Sequence, residues 1–269
     1  MNPAIDVRKL NYHYDKNRVL NDLSFTVGSG DFFIIIGPNG SGKTTLLKSI
    51  IGISRSSVKD IYIFNRPLED YDRKDLARTV AYVPQAIPVD FSFTVKEFVL
   101  MGRSPHLGLL GIEEKRDIEL AKSAMEFTEV YHLSHRRIDQ LSGGECQRVF
   151  IARAICQDSK ILLLDEPTAS LDLAHQVRVM DLMEKLKKDR QTTIVMVSHD
   201  INLAAMYSDR LLLLKNGKKI AAGSPKRVLN FKTLENAYDC NILVDESPMG
   251  KLPRITLIPG KYAAPSDRQ

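Results

Sequence analysis

Hydrophobic and polar positions alternate through "IDVRKLNYHY" and again through "VLNDLSFTV", with the polar "DKNR" between them. A period of two marks a half-buried strand, so the stretch from Ile5 to Val27 predicts an antiparallel hairpin. The pattern then changes. Phe32–Ile36 ("FFIII"), Ile161–Leu164 ("ILLL"), Thr193–Val197 ("TIVMV") and the less uniform Val80–Val83 ("VAYV") are apolar without a break. Such runs, separated by helical stretches, predict a parallel sheet covered on both faces. Between Val89 and Gln157 the spacing turns helical. Ile118, Ala121, Ala124 and Met125 share one face, and Val149, Ala152 and Ile155 another, which predicts a helical insert in the α/β core. Val177–Lys188 reads as a further amphipathic helix. "RLLLLKNGKKIAAG" reads as a hairpin turning at Asn216-Gly217 in type I′ geometry. Ser224-Pro225 fits an N-cap with proline at the first helical position. "NILVDESPMGKLPRITLIP" predicts a last small hairpin before a polar tail.

Composition narrows this picture only slightly. A chain of 269 residues, 43% hydrophobic and 26% charged, has the make-up of a globular protein with a full core. Its apolar runs are strand-sized, far from the roughly 20 residues that span a bilayer. The first residues lack an apolar segment, so no secretory signal is expected. Three cysteines, Cys146, Cys156 and Cys240, are too few and too scattered for a disulfide framework or a zinc site. The net charge of +5 is spread along the chain, which favours a mixed solvated surface over a nucleic-acid footprint.

The chemistry sits where apolar runs end. "GPNGSGKTT" matches Gly-x4-Gly-Lys-Thr at Gly37, Gly42, Lys43 and Thr44, and precedes the apolar helix "TLLKSIIG". Backbone N–H groups that wrap phosphates need glycines where a Cβ would clash. The candidate ATP- or GTP-binding residues are therefore Gly37, Pro38, Asn39, Gly40, Ser41, Gly42, Lys43, Thr44 and Thr45. Lys43 would meet the β- and γ-phosphates, the Thr44 hydroxyl suits Mg²⁺, and the helix N-terminus adds its dipole. "ILLLDEP" places Asp165 and Glu166 at a strand's carboxyl end, where parallel α/β sheets bind ligands. Asp165 would hold Mg²⁺ and Glu166 would act as general base on an attacking water. His199, after "TIVMV", can reach a γ-phosphate. Gln85, after "VAYVP", can bring its side-chain oxygen to Mg²⁺ or the water.

One further stretch is surplus to a single nucleotide site. In "LSGGECQR", Ser142 and Glu145 form a capping box at a helix start. Capping explains neither Gly143 nor Gly144. Two glycines there leave the helix N-terminus open to an anion.

Taken in order, the phosphate loop, Gln85, "LSGGE", "ILLLDEP", "SLD" (Ser170–Asp172) and His199 resemble the ATP-binding cassette (ABC) ATPases, over about residues 3–240. The resemblance implies an α/β fold: a P-loop nucleotide-binding core, an antiparallel β subdomain and a helical subdomain at about 89–157. Residues 241–269 would form a C-terminal hairpin and polar tail. It also implies ATP with Mg²⁺, and two copies paired head to tail. Ser142, Gly143 and Gly144 would then close on the partner's ATP. Tyr14 would stack on adenine, and Asp172 would couple the two sites.

"FTVKEFVLMGRSPHLG" (Phe93–Gly108) narrows the likeness, since it resembles ATPases of importers for iron chelates, haem and vitamin B12. That implies a homodimer beneath two integral-membrane permease subunits, fed indirectly by a substrate-binding protein and without nucleic acid. Its place would be peripheral, on the cytoplasmic face of the inner membrane. The rivals are the ATPase of another metal importer and a soluble cassette ATPase of iron–sulfur assembly. A repair-type cassette would carry coiled-coil heptads between Gly37 and Leu141, and none are present. Cys146 stands where such proteins commonly have a polar residue, which implies thiol sensitivity.

Overall fold

Continuous apolar strands can be buried only if both faces are covered, and that requirement organises the molecule. The computed structural model describes residues 3–15, 17–53, 59–85, 92–108, 111–169 and 171–262. Lys16 of the first turn, the expected start of the helical insert at Val89, Ser170 and the tail from residue 263 lie outside them.

β1 (Pro3–Tyr14) and β2 (Asn17–Gly28) form the expected hairpin, paired from Pro3↔Gly28 to Tyr14↔Asn17. β3 (Phe32–Ile36) follows, and then α1 (Lys43–Ile50). Two short strands that no alternation marks, β4 (Ile61–Ile63) and β5 (Arg66–Pro67), extend the antiparallel sheet to the order β2-β1-β4-β5. α2 (Arg73–Thr79), capped by Asp72, leads into β6 (Val80–Val83). α3 (Val95–Leu100), α4 (Lys115–Phe127) and α5 (Gly143–Cys156) build the helical layer before β7 (Ile161–Asp165). α6 (Leu173–Arg190), β8 (Thr193–Val197) and α7 (Ile201–Tyr207) come next. β9 (Arg210–Lys215) and β10 (Lys218–Gly223) form the second hairpin. Its Asn216 and Gly217 have φ of 49° and 72°, as a type I′ turn requires.

The central sheet runs β10-β9-β3-β8-β7-β6, parallel except for β10. Every residue of β3, β7 and β8 is buried. Alternate side chains serve different cores. Phe32, Ile34 and Ile36 pack with the helical layer, and Phe33 and Ile35 with α1 and the antiparallel sheet.

α8 (Pro225–Val228) begins at Ser224-Pro225 as expected, although the serine side chain makes no capping hydrogen bond. α9 (Phe231–Tyr238) leads to the last hairpin, β11 (Ile242–Glu246) and β12 (Pro253–Leu257). The Asn202 side chain fastens that hairpin to α7. It donates to Ile255 O at 3.1 Å and accepts from Ile255 N at 2.8 Å.

One inward face differs from its pattern. Ile118 is 43% exposed, while Asp117 turns inward. The reason is a buried ion pair: Arg103 Nε donates to Asp117 Oδ1 at 2.9 Å and Arg103 Nη1 to Cys156 O at 3.0 Å. The backbone N–H of Glu114 donates to Asp117 Oδ2. That bond, then Arg103, holds the Asp117 carboxyl below its ordinary pKa. A depressed carboxylate pKa stabilises the native state above the unfolded-state value, about 4, and the contribution is lost as pH falls through the folded value. Asp117→Ala should lower the free energy of unfolding by about 1.5–3 kcal/mol at pH 7 and weaken its acid dependence. Urea titrations at pH 7 and pH 4 check this, and equal stability of the two proteins at pH 7 would show the pair to be dispensable.

Candidate functional site

The phosphate loop runs from the end of β3 into α1, and its glycines are dictated by crowding. A Cβ on Gly37 would lie 2.2 Å from Leu214 O, and one on Gly42 would lie 2.8 Å from Leu20 Cδ2. Gly42 also has φ 98°, a left-handed conformation that L side chains rarely adopt. Lys43, only 5% exposed, donates its ammonium to Gly37 O at 2.9 Å and Pro38 O at 3.0 Å. Burial lowers its pKa, opposed by the carboxylates of Glu166 and Asp165.

Thr44 Oγ1 donates to Asp165 Oδ1 at 3.1 Å, and Tyr82 OH donates to Asp165 Oδ2 at 3.2 Å. Sequence reasoning missed Tyr82; its one signal was a hydroxyl inside the apolar run "VAYV". Burial raises the Asp165 pKa, although the two hydroxyls counteract it. Asp165 is 1% exposed, and among the described residues it has no ion-pair partner. A buried carboxylate in no ion-pair contact among the described residues, beside a threonine hydroxyl, is a hard-oxygen donor set that fits Mg²⁺. Among the described residues Ser41 Oγ is also buried without a hydrogen-bond partner, and it lines the cleft, where a ligand oxygen can meet it.

The next residue, Glu166, has φ 51°, a conformation costly for a side-chain-bearing residue and frequent at functional sites. Its Oε1 bonds to His199 Nε2 and its Oε2 accepts from Gln85 Nε2. β6, β7 and β8 are neighbours, so their carboxyl ends bring Gln85, Glu166 and His199 together. These side chains face the phosphate loop across a cleft of about 620 Å³, lined by residues 39–45, Val19, Gln85, Glu166 and His199.

The remaining predicted residues lie apart from this cleft. Tyr14, at the end of β1, is 48% exposed and edge-on to Tyr12 at 4.9 Å between ring centres. Ser142 caps α5, accepting from Glu145 N at 3.3 Å, while Ser142 N donates to Glu145 Oε2 at 2.8 Å. The two glycines then differ. A Cβ on Gly143 would meet nothing within 4 Å, whereas one on Gly144 would lie 2.9 Å from His175 Cδ2. Asp172 is the N-cap of α6. Cys146 corrects an expectation: it is 4% exposed, and burial pushes its thiol pKa up, so the folded protein shields it.

A phosphate loop at one strand end, facing a carboxylate–histidine pair at two others, defines a nucleotide-binding α/β protein of the phosphate-loop class. The profile of the ABC transporter family matches residues 20–169, and the chain belongs to that family. It is 33% identical to a ferric enterobactin transport ATP-binding protein of Escherichia coli, over 96% of this chain and 94% of that one. It is 35% identical to a cobalamin import ATP-binding protein of Halobacterium salinarum, over 98% of this chain and 66% of the relative. The chain thus spans from 56% to 66% of the length of some curated relatives it matches. A solved ABC transporter structure of described metal-chelate type, in an inward-facing conformation, superimposes with a TM-score of 0.85 at 29% identity, covering 97% of this chain and 99% of that one.

Asp165 offers a direct check on the cation site. A carboxyl whose pKa is raised on folding costs native stability once pH exceeds its unfolded value, because the charged form is the disfavoured one. Asp165→Asn should therefore raise the Tm of the nucleotide-free protein at pH 7 and remove the Mg²⁺-dependent part of stabilisation by ATP. Differential scanning calorimetry with ATP, with and without Mg²⁺, reads both. An undiminished Mg²⁺ increment in the variant would place the cation elsewhere.

Proposed function

We propose that this chain is the ATP-hydrolysing subunit of an importer that takes up an iron chelate, haem or a vitamin B12-like compound through separate permease subunits. The observation that carries the reading is the convergence of Gln85, Glu166 and His199 over the phosphate loop. Backbone N–H groups of the loop and the Lys43 ammonium bind the phosphates. Thr44 and Asp165, with Gln85 at the edge, would hold Mg²⁺, which would supply neutralising charge to the phosphates. Glu166 takes the proton from the attacking water at a carboxylate oxygen, and His199 orients that carboxylate through the other bond it receives.

The serine–glycine turn supports a paired assembly. It lies outside its own subunit's cleft, and Gly143 stands in open space, so a second copy's nucleotide can approach the α5 N-terminus. ATP would close the pair and hydrolysis would release it. A separate groove of about 870 Å³, lined by Ile53, Leu68, Leu76, Phe150, Arg153 and Gln157 among others, suits a short permease helix at the edge of the helical layer. Among the described residues no helix is long and apolar enough to cross a membrane, so the reading needs permease subunits, with this chain peripheral on the cytoplasmic side.

Glu166→Gln should keep ATP binding while turnover falls about 10²–10⁴-fold, because the water loses its base. ATP should also hold this variant as a dimer in analytical ultracentrifugation, and adding Ser142→Arg should abolish the dimer without weakening nucleotide binding. Near-normal turnover in the first variant would remove Glu166 from its role; a persistent dimer in the second would remove the serine–glycine turn from its own.

Transport itself is tested by affinity purification from the native host in mild detergent. A polytopic permease should co-purify in stoichiometric amount. Soluble scaffold proteins alone, from well-extracted membranes, would favour the iron–sulfur assembly ATPase instead.

A further inference from the structure

Asp172 and the serine–glycine turn are far apart in sequence, yet one side chain touches both. The imidazole of His175 in the first turn of α6 bonds through Nδ1 to Asp172 Oδ1 at 2.8 Å. Its other edge lies on Gly144, close enough that a Cβ there would come within 2.9 Å of Cδ2. Helix capping does not require this ring. The backbone N–H of His175 already donates to Asp172 Oδ1 at 2.9 Å, and any residue except proline would supply it at this position. The imidazole is therefore surplus to the cap, and its placement also accounts for Gly144, which Gly143's open surroundings do not.

The neighbouring residue extends the contact toward the cleft. Gln176 Nε2 donates to Leu171 O at 3.1 Å and to Thr168 O at 3.3 Å. Ala169 N in turn donates to Glu166 O at 3.2 Å. Thr168 and Leu171 are thus held to the first turn of α6, and His175 of that turn packs against the serine–glycine turn.

We infer that His175 is a positioning residue that fastens the serine–glycine turn to Asp172, so that a subunit presents both loops to its partner as one piece. The inference rests on the paired-subunit reading above. It gives the two glycines separate duties. Gly143 leaves room for the partner's phosphates, and Gly144 makes room for the histidine that sets the turn's position.

The test uses the full chain carrying Glu166→Gln, in which ATP-driven pairing accumulates. Adding His175→Ala should raise the ATP concentration for half-maximal dimer about five- to tenfold, the range of an ordinary coupling between sites. ATP affinity of the monomer, read by fluorescent-nucleotide titration at low protein concentration, should stay unchanged. His175→Asn places an amide nitrogen where Nδ1 lies and should recover most of the loss, a rescue that general destabilisation would not show. Unchanged half-saturation in His175→Ala, or an equal weakening of monomer ATP binding, overturns the inference. Should the Glu166→Gln parent not dimerise at all, the paired reading fails, but the link is still decided by hydrogen exchange at the Gly143 and Gly144 amides. Faster exchange in His175→Ala supports the fastening, and unchanged exchange refutes it.

Discussion

Burial on both faces is the constraint from which the rest follows. No position along β3, β7 or β8 can carry a solvated group, because each strand is fully buried. Polar chemistry is thereby displaced to the strand ends, where the chain must leave the sheet. Parallel pairing sets those ends side by side, so residues distant in sequence meet without any further device. Gln85, Glu166 and His199 are neighbours for the same reason that β6, β7 and β8 are.

Strain and desolvation are gathered at the same edge. Asp165 is buried against two hydroxyls, and Glu166 occupies a left-handed conformation one residue later. Both cost native stability, and the well-packed sheet beneath makes that cost tolerable. The Lys43 ammonium is tied to carbonyls of its own loop, so the loop's shape is built by local bonds. A binding loop that is already formed loses little conformational freedom when it takes hold of a ligand.

Legibility in the sequence tracked the range of the interaction. The phosphate loop, the capping box at Ser142 and the type I′ turn at Asn216-Gly217 are local patterns, and each was readable from a few adjacent residues. The central strands were readable because their burial leaves no alternation. β4 and β5, at three and two residues, are too short to show a period. Nothing local marked Asp117 for burial, because its partner, Arg103, lies in a separate turn. Tyr82 and His175 were invisible for the same reason, since each matters through a partner that only the fold supplies. The double glycine marked an open helix end, but its two members proved to have different surroundings.

The amide of Asn202 makes the paired bonds that an adjacent strand would make, and so works as a one-residue seam between α7 and β12. α7 starts directly beyond His199 and Asp200, and Ile242 and Ile255 of the hairpin are buried within the main core. The last hairpin is therefore no appendage. It is masonry against the helix that follows His199, and a chain cut short before it would leave that helix without its buttress.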